Sequence, residues 1–273
     1  MKNKIKLHIL NCGEVGVDPA VPFRDVSKNP IAYTGIGRSK KIRIWLPVTA
    51  YLIEHPKGNI LIDTGWHTDV RSNPIKHLSA PLYMASKPKL PEGKAINEQL
   101  KNLNIETKDL DYVFLTHMDC DHASGLKLVK DAKKIMISEE EFKAINKGNV
   151  RYAKRFWSGV NIESFKMEES EYGPFNRAYD VYGDGTVLLI DAKGHTKGNI
   201  VVMVKNNNKF ALITGDCGYA KDSWESLRMP GPLVNKEDMI KSLEWIRNMV
   251  HKKECVGVFA THDPEVKESL ITL

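Results

Sequence analysis

Four side chains of metal-binding type lie within six residues of one another. His117, Asp119, Asp121 and His122 directly follow an apolar run at 112–115, which predicts a buried strand that ends where the cluster begins. Alternate residues of an extended loop point the same way, so His117 and Asp119 can share one ligand position. The next pair can serve a neighbouring position, and imidazole with carboxylate suits zinc, iron or manganese. An ordinary hydrogen-bonded turn rarely gathers so many ligand types, which favours a metal site.

Three distant residues share the same context as this cluster. His195, Asp216 and His262 each lie just past the end of an apolar, strand-like run. Reactive groups gather at the carboxyl ends of sheet strands, because the strands are rigid there while the loops stay open. A single histidine after a strand is more often a polar loop residue. These three residues become candidate metal ligands only because the chain also contains the cluster at 117–122.

The elements that must position these residues are strands mixed with helices. Apolar runs rich in Val and Ile predict strands at 5–10, 48–53, 60–62, 112–115, 135–137, 187–190, 200–204, 210–213 and 256–259. Helices are predicted near 96–103, after Ser138, where Glu141 completes a capping box, and after Asn235, which with Asp238 caps an amphipathic stripe ending at Val250. Such a mixture indicates a layered α/β fold.

Two segments lack a regular pattern, at 12–46 and 66–94. Both are rich in Pro, Gly, Ser and Asn, and such long loops in a compact domain are often functional lids. The segments 60–65 and 211–216 are weakly similar, which suggests two related halves. No linker divides the chain, so we predict a single domain over residues 1–273 with lid loops at about 12–46 and 66–94.

Composition narrows the class of protein. The chain has 273 residues, of which 42% are hydrophobic and 27% charged, and its net charge of +6 comes from scattered Lys and Arg rather than a basic face interleaved with aromatics. We therefore expect no nucleic-acid partner. The four cysteines form no C-x-x-C pair, which favours free thiols in a reducing compartment. The first residues are too polar for a signal peptide, and no apolar stretch approaches the ~20 residues of a membrane span, so we expect a cytoplasmic protein without membrane contact.

The cluster resembles the H-x-H-x-D-H motif of the metallo-β-lactamase superfamily. Gly194-His195-Thr196 and Gly215-Asp216 resemble the local sequences around that family's later ligands, and His262 matches the last ligand in order and context. Asp63-Thr64-Gly65 resembles its early D-T-G, whose aspartate supports the metal site. The resemblance covers nearly the whole chain. It implies an αββα four-layer sandwich and two divalent metal ions. The implied ligands are His117, Asp119, Asp121, His122, His195, Asp216 and His262.

A narrower resemblance is to the N-acyl homoserine lactone hydrolases. The segment 46–65 is similar to their N-terminal strands, and Tyr219 follows Asp216 at the offset where those enzymes carry a tyrosine facing the substrate carbonyl. The resemblance implies that a hydroxide held between two metals opens a lactone ring. Tyr219 would stabilise the oxyanion and Asp121 would pass a proton to the leaving alkoxide. An apolar substrate tail could meet Trp45, Trp66, Leu82, Tyr83 and Met84, although loop packing explains these residues equally well.

Asp119 departs from the motif, which has histidine at its second position. Flavodiiron proteins carry a glutamate there and bind iron, but this chain lacks their flavin domain. With Asp119, the charges of two divalent cations are balanced by three aspartates and a bridging hydroxide, whereas a histidine would leave one positive charge. Zinc is expected first, but the extra carboxylate favours harder metals and leaves iron or manganese open. Cys120 and Cys217 adjoin ligands, and we expect them to be buried neighbours rather than ligands.

These residues predict a metal-dependent hydrolase, a lactonase of the kind that quenches quorum-sensing signals, with a small-molecule substrate. We allow for a homodimer. Other hydrolases of the fold, a thioesterase or a phosphodiesterase, are the first alternative. A di-iron redox protein, motivated by Asp119, and a metal-stabilised binding module without catalysis are the others.

Overall fold

Strands and helices are interspersed along the chain, as the sequence predicts. The structure is a computed structural model that describes residues 4–149 and 151–273, so residues 1–3 and 150 of the predicted domain lie outside it. The strands are β1 Lys6–Val17, β2 Ile44–His55, β3 Gly58–Ile62, β4 Lys87–Lys89, β5 Leu110–Phe114, β6 Ile135–Ser138, β7 Glu163–Phe165, β8 Glu168–Glu169, β9 Arg177–Asp180, β10 Val187–Asp191, β11 Ile200–Asn206, β12 Lys209–Gly215, β13 Cys255–Ala260 and β14 Ser269–Thr272. The α-helices are α1 Pro74–Leu78, α2 Ala80–Ala85, α3 Ile96–Asn102, α4 Cys120–Ala123, α5 Glu139–Ile145, α6 Lys221–Glu225 and α7 Lys236–Val250. Short 3-10 helices cover Arg24–Val26, Ala32–Thr34, Lys40–Ile42, Thr68–Arg71, Thr107–Asp109, Ser124–Val129 and Lys154–Phe156.

The strands form two mixed sheets. The first has eight strands in the order β14-β1-β2-β3-β5-β6-β7, with β4 paired to β1. The second has six strands in the order β13-β12-β11-β10-β9-β8. Parallel pairing occurs between β3 and β5 and between β12 and β13, so the carboxyl ends of both members of each pair meet at one edge. The weakly similar segments 60–65 and 211–216 include the ends of β3 and β12, one in each sheet.

The two sheets pack face to face over a buried core. Ile53, Ile62 and Phe114 of the first sheet belong to the same apolar cluster as Leu189 and Ile213 of the second. Each fully buried side chain of this size contributes roughly 1.5–3 kcal/mol through loss of apolar surface from water. The outer face of the first sheet packs against a cluster that includes residues of α3 and α5, and the second sheet packs against α7. The order helix, sheet, sheet, helix confirms the predicted αββα sandwich.

Helix α7 shows how the local sequence selects its structure. The Asn235 side chain accepts a hydrogen bond from the backbone N–H of Asp238 at 2.8 Å, which is the predicted N-cap. The helix then buries Met239, Leu243 and Ile246 at helical spacing against the second sheet. Removing the cap costs about 1 kcal/mol in typical helices.

Both segments predicted to be irregular contain regular structure. Residues 12–17 belong to β1 and residues 44–46 to β2, and residues 18–43 between them contain three short 3-10 helices. The pairing of β1 with β2 shifts register between Asn11 and Glu14, and this bulge hides the strand from a search for strict alternation. Residues 66–94 contain α1, α2, β4 and a 3-10 helix. Trp66 is fully buried and its Nε1 donates to the Glu14 carbonyl at 3.1 Å, so this residue packs the core and does not line a substrate site.

Among residues 4–149 and 151–273, no helix has both the length and the apolar character that crossing a membrane requires.

Candidate metal centre

The cluster at 117–122 occupies the connection from β5 to α4. His117 and Asp119 lie in the loop after β5, and Asp119 is the residue that precedes the first turn of α4. Asp121 and His122 lie within that turn. An extended loop followed at once by a helical turn points the two pairs in different directions, which is why six residues can supply two adjacent groups of ligands.

The three distant candidates reach the same place from the second sheet. His195 follows β10, Asp216 follows β12 directly and His262 follows β13 by two residues. All three are buried, with at most 2% of their surface exposed. The seven predicted ligands fall into two groups whose ligand atoms lie within 4.8 Å of one another in each group. We call His117, Asp119, His195 and Asp216 the first half of the centre. The second half is Asp121, His122 and His262, again with Asp216.

Asp216 stands between the two halves with one oxygen toward each. Its Oδ1 lies 3.1 Å from Nε2 of His122 and 3.2 Å from Nε2 of His262. Its Oδ2 lies 3.5 Å from Nε2 of His195 and 3.8 Å from Nε2 of His117. This is the arrangement in which one carboxylate can contact two neighbouring cations.

The unpaired atoms of the centre fit a divalent cation. Nε2 of His117, His122 and His262 and Oδ1 of Asp216 are buried and find no hydrogen-bond partner within the part of the chain that the structure describes. Buried polar atoms are rarely left without a partner, because desolvation then goes uncompensated. Bonds of 2.0–2.2 Å in tetrahedral geometry place ligand atoms about 3.3–3.6 Å apart. The spacing around Asp216 is of this size, so the residues present suit a metal ion.

A buried carboxylate orients the second half from behind. Asp63 Oδ2 lies 2.8 Å from Nδ1 of His122, and the Asp63 carboxylate accepts hydrogen bonds from the backbone N–H and the hydroxyl of Thr116, both at 2.8 Å. Nδ1 of His262 donates to the Pro47 carbonyl at 2.7 Å. With Nδ1 fixed in this way, the lone pair of Nε2 in each ring faces the centre. Asp63 adopts a left-handed backbone with φ of 61°, a conformation that non-glycine residues hold only when their surroundings demand it.

The first half contains a residue that the sequence analysis missed. Arg151 donates from Nε to Oδ1 of Asp119 at 2.5 Å and from a terminal nitrogen to Oδ2 at 2.6 Å. The same terminal nitrogen lies 2.7 Å from Nε2 of His195, and the other donates to the His195 carbonyl at 3.2 Å. Burial opposes ionisation of Asp119, but the charge and hydrogen bonds of Arg151 hold the pKa of that carboxyl well below its usual value. The signal that could have found Arg151 is the need of a buried extra carboxylate for a cation.

Glu141 joins the loops that carry the first half. Its carboxylate accepts from the Met118 backbone N–H at 3.1 Å, from the Thr196 hydroxyl at 2.7 Å and from the Gly198 backbone N–H at 3.1 Å. Burial raises the pKa of this carboxyl. The predicted cap is therefore half formed: the Ser138 hydroxyl accepts from the Glu141 backbone N–H, but the Glu141 side chain leaves the helix end and supports the centre.

Tyr219 lies against the centre, as the sequence predicts. It is 4% exposed, and its ring stacks on His262 with centroids 4.9 Å apart. Burial, and then the nearby aspartates, Asp216 foremost, raise the pKa of its hydroxyl well above the usual value. Cys120 and Cys217 are buried, at 4% and 0% exposure, in agreement with the burial predicted for them, and neither belongs to a group of metal-binding atoms among the described residues.

Comparison with known proteins identifies the family. The model of the metallo-beta-lactamase superfamily matches residues 43–257, which is most of the chain and includes six of the seven predicted ligands. The chain belongs to the metallo-β-lactamase superfamily. The matched region ends before His262. The fold places this residue in the second half, beside Asp121 and His122.

Several curated relatives of this superfamily member are lactonases. N-acyl homoserine lactonase AttM of Rhizobium radiobacter is 29% identical over 228 residues, covering 81% of this chain and 83% of the relative. N-acyl homoserine lactonase AiiB of Rhizobium rhizogenes is 27% identical over 284 residues, covering 97% of this chain and 96% of the relative. A probable metallo-hydrolase of Mycobacterium tuberculosis is 25% identical over 231 residues, covering 79% of this chain and 71% of the relative.

Solved structures agree on the fold. An N-acyl homoserine lactone hydrolase with N-hexanoyl-L-homoserine bound at its catalytic metal centre superposes with a TM-score of 0.77 at 24% identity, covering 97% of this chain and 95% of the other. A variant of B. thuringiensis AiiA with N-decanoyl-L-homoserine at its active site gives 0.77 at 23% identity, covering 97% and 95%. At this level of identity the likeness establishes a shared sandwich.

Proposed function

We propose that this protein is a metal-dependent hydrolase that opens the lactone ring of N-acyl homoserine lactones. The observation that carries the proposal is the position of Asp216 between two groups of buried, inward-facing ligands, with Tyr219 beside it. The named activity of the curated relatives supports the choice of lactone among the substrates that such a centre could accept.

The proposed ligands are the seven residues of the two halves, and the proposed cofactor is a pair of divalent cations, with zinc expected first. Bound cations would polarise the substrate carbonyl and lower the pKa of water at the site. The chain's own contribution is to hold the imidazoles in one tautomer, through Asp63 and the Pro47 carbonyl, and to keep the centre dry. Burial of the ligands strengthens every electrostatic interaction with the reacting carbonyl.

Tyr219 and Asp121 are the proposed catalytic residues. A neutral tyrosine hydroxyl beside Asp216 can donate a hydrogen bond to the carbonyl oxygen as negative charge develops on it, an effect worth about 3 kcal/mol for one well-placed donor. Asp121 Oδ2 lies 3.4 Å from Nε2 of His262, and its side chain is 11% exposed. From there Asp121 can hold the proton that the leaving alkoxide takes up.

The test is hydrolysis of N-hexanoyl-L-homoserine lactone by the metal-loaded protein, followed by chromatography of the ring-opened acid. We expect turnover, and we expect Tyr219→Phe to lower kcat about 100-fold with little change in metal content. Tyr179→Phe, which removes a hydroxyl from β9 in the second sheet, is the matched control and should keep full activity. Fully loaded protein that leaves every acyl homoserine lactone intact would refute the proposed substrate.

The same preparation separates the alternatives. Thioester or phosphodiester hydrolysis in place of lactone opening would indicate another hydrolase of the fold. Iron after aerobic purification, with reversible redox behaviour, would indicate the di-iron protein that Asp119 suggests. A small-molecule substrate without nucleic acid, a homodimer and a cytoplasmic location remain our predictions, and sedimentation analysis tests the homodimer.

A further inference from the structure

We propose that Asp119 and Arg151 act as a charge-balanced pair in place of one neutral ligand, and that Arg151 weakens the first half of the centre for a divalent cation. This inference rests on the proposed function, because it concerns the same ligands. It assigns Arg151 as a positioning residue that sets the metal affinity of one half and leaves the other half unaffected.

The contacts of Arg151 fall on the atoms that a cation needs. Its guanidinium donates to both oxygens of Asp119, so neither oxygen is free of competition. Its terminal nitrogen also lies 2.7 Å from Nε2 of His195, so that lone pair can accept a hydrogen bond from the arginine. In that tautomer the proton of His195 is on Nδ1, which is buried and has no hydrogen-bond partner in the described residues. A cation in the first half must displace part of this network.

The charges point the same way. Asp119 adds one negative charge that a histidine would not bring, and Arg151 returns one positive charge at hydrogen-bond distance. The pair is therefore neutral, as an uncharged histidine would be. Its members are largely shielded from water, with 17% of the Asp119 side chain and 20% of the Arg151 side chain exposed. Salt screening is weak at such positions, so the guanidinium offsets the attraction between Asp119 and a cation in the first half.

The second half has no counterpart of Arg151. Within residues 4–149 and 151–273, Asp121 forms its ion pair with His262, and Asp216 pairs only with the histidines of the centre. In the part of the chain that the structure describes, no guanidinium or ammonium group forms an ion pair with a ligand of this half. We therefore expect the second half to bind the first equivalent of metal and the first half to bind the next.

The experiment is a zinc titration of metal-free protein against a chromophoric chelator, which yields two stepwise dissociation constants without any substrate. His67, Asp69 and His77 form another group of possible ligand atoms, so all variants carry Asp69→Asn to exclude it. We expect the two constants of the otherwise unchanged protein to differ by about 10-fold to 100-fold, the range in which groups around metal ligands act. Arg151→Met should strengthen the weaker step by about tenfold or more and leave the tighter step unchanged.

Two further arginine variants make the test specific. Arg155→Met removes the same charge four residues along the chain, where the guanidinium contacts the Lys76 carbonyl, and it should behave as the parent protein. Arg151→Lys keeps the charge but loses the fork, and it should give an intermediate constant. An unchanged or weakened first-half constant in folded Arg151→Met would overturn the inference.

A paired variant keeps the test decisive if Arg151→Met does not fold. Asp119→His alone leaves the guanidinium beside an imidazole and should weaken the first half. Adding Arg151→Met should restore at least about tenfold of that loss, and no restoration would overturn the inference. If the two zinc dissociation constants were equal and did not change in the Arg151 variants, the inference would be refuted and the proposed lactone hydrolysis would be unaffected. Failure to bind zinc, iron and manganese alike would refute both.

Discussion

The two halves of the metal centre use the same kinds of side chain but stand on different supports. In the second half, Asp63 holds His122 and the Pro47 carbonyl holds His262, so both rings are oriented by groups that lie behind them. In the first half, Arg151 contacts Asp119 and His195 on the atoms that face the centre. Support from behind favours a bound cation, whereas support from the front competes with it. The comparison teaches that ligand type alone does not set the strength of a metal site.

Asp216 belongs to both halves, so its loss should have the largest effect. Asp216→Asn removes a carboxylate that contacts histidines of both groups and leaves these buried imidazoles without their shared partner. We expect both zinc constants to weaken and lactone turnover to fall by about 1,000-fold, which corresponds to roughly 4 kcal/mol of lost stabilisation. Metal content and kcat are the measurements. Asp222→Asn, on α6 at an exposed position, is the control. A variant that lost one metal and kept the other at full affinity would contradict the shared role.

Asp63 belongs to the second half alone, and its loss should separate the halves. Asp63→Asn cannot accept with both oxygens from Thr116 and His122, so the imidazole loses its fixed tautomer. We expect the tighter zinc constant to weaken about 10-fold to 100-fold and the weaker constant to change less. The titration that tests Arg151 measures both constants. Asp109→Asn, in a 3-10 helix before β5, is the control for removal of a surface carboxylate. Equal weakening of both steps would show that the halves are not independently supported.

Glu141 supports the first half through its loops, and we expect the smallest effect there. Glu141→Gln places an amide N–H₂ where one carboxylate oxygen accepts from Thr196 and Gly198, which costs about 1–3 kcal/mol for a buried mismatch. The melting temperature of the metal-free protein should fall by about 5 °C. The tighter zinc constant should stay unchanged. Glu140→Gln removes the neighbouring carboxylate, which pairs with Arg177, and should shift the melting temperature little. A shift of equal size in both variants would remove the special role of Glu141.

The sequence predicted the strands and the candidate residues beyond them for a clear physical reason, whereas the αββα layers were implied by the family resemblance. Strands can be recognised in a sequence as apolar runs, and the candidate ligands follow the ends of such runs. For this reason β5, β10, β12 and β13 were predicted together with the residues that follow them. The bulge between Asn11 and Glu14 hid part of β1, because a bulge breaks the alternation by which a strand is found. Trp66 was a candidate for lining the substrate site because the residues around it are typical of a loop, but its side chain is fully buried in the core.

The supports of the centre were harder to predict than its ligands. Asp63 was found because it belongs to a motif, whereas Arg151 lies 32 residues from Asp119, between α5 and the 3-10 helix Lys154–Phe156. Glu141 was predicted to complete a helix cap because of its spacing from Ser138. Its carboxylate instead accepts a hydrogen bond from the Met118 backbone N–H. Contacts between distant loops produce no periodic pattern in a sequence. The charges of the buried residues are then the remaining evidence for such a contact. A buried extra carboxylate at Asp119 needs a cation, and that need could have directed a search to the arginines and lysines without saying which of them.

The most direct test of the unequal halves is crystallography at the zinc absorption edge with less than one equivalent of zinc. The account predicts an anomalous peak among Asp121, His122, His262 and Asp216, with Arg151 still bound to Asp119. A stronger peak among His117, Asp119 and His195, or equal peaks in both halves, would contradict it.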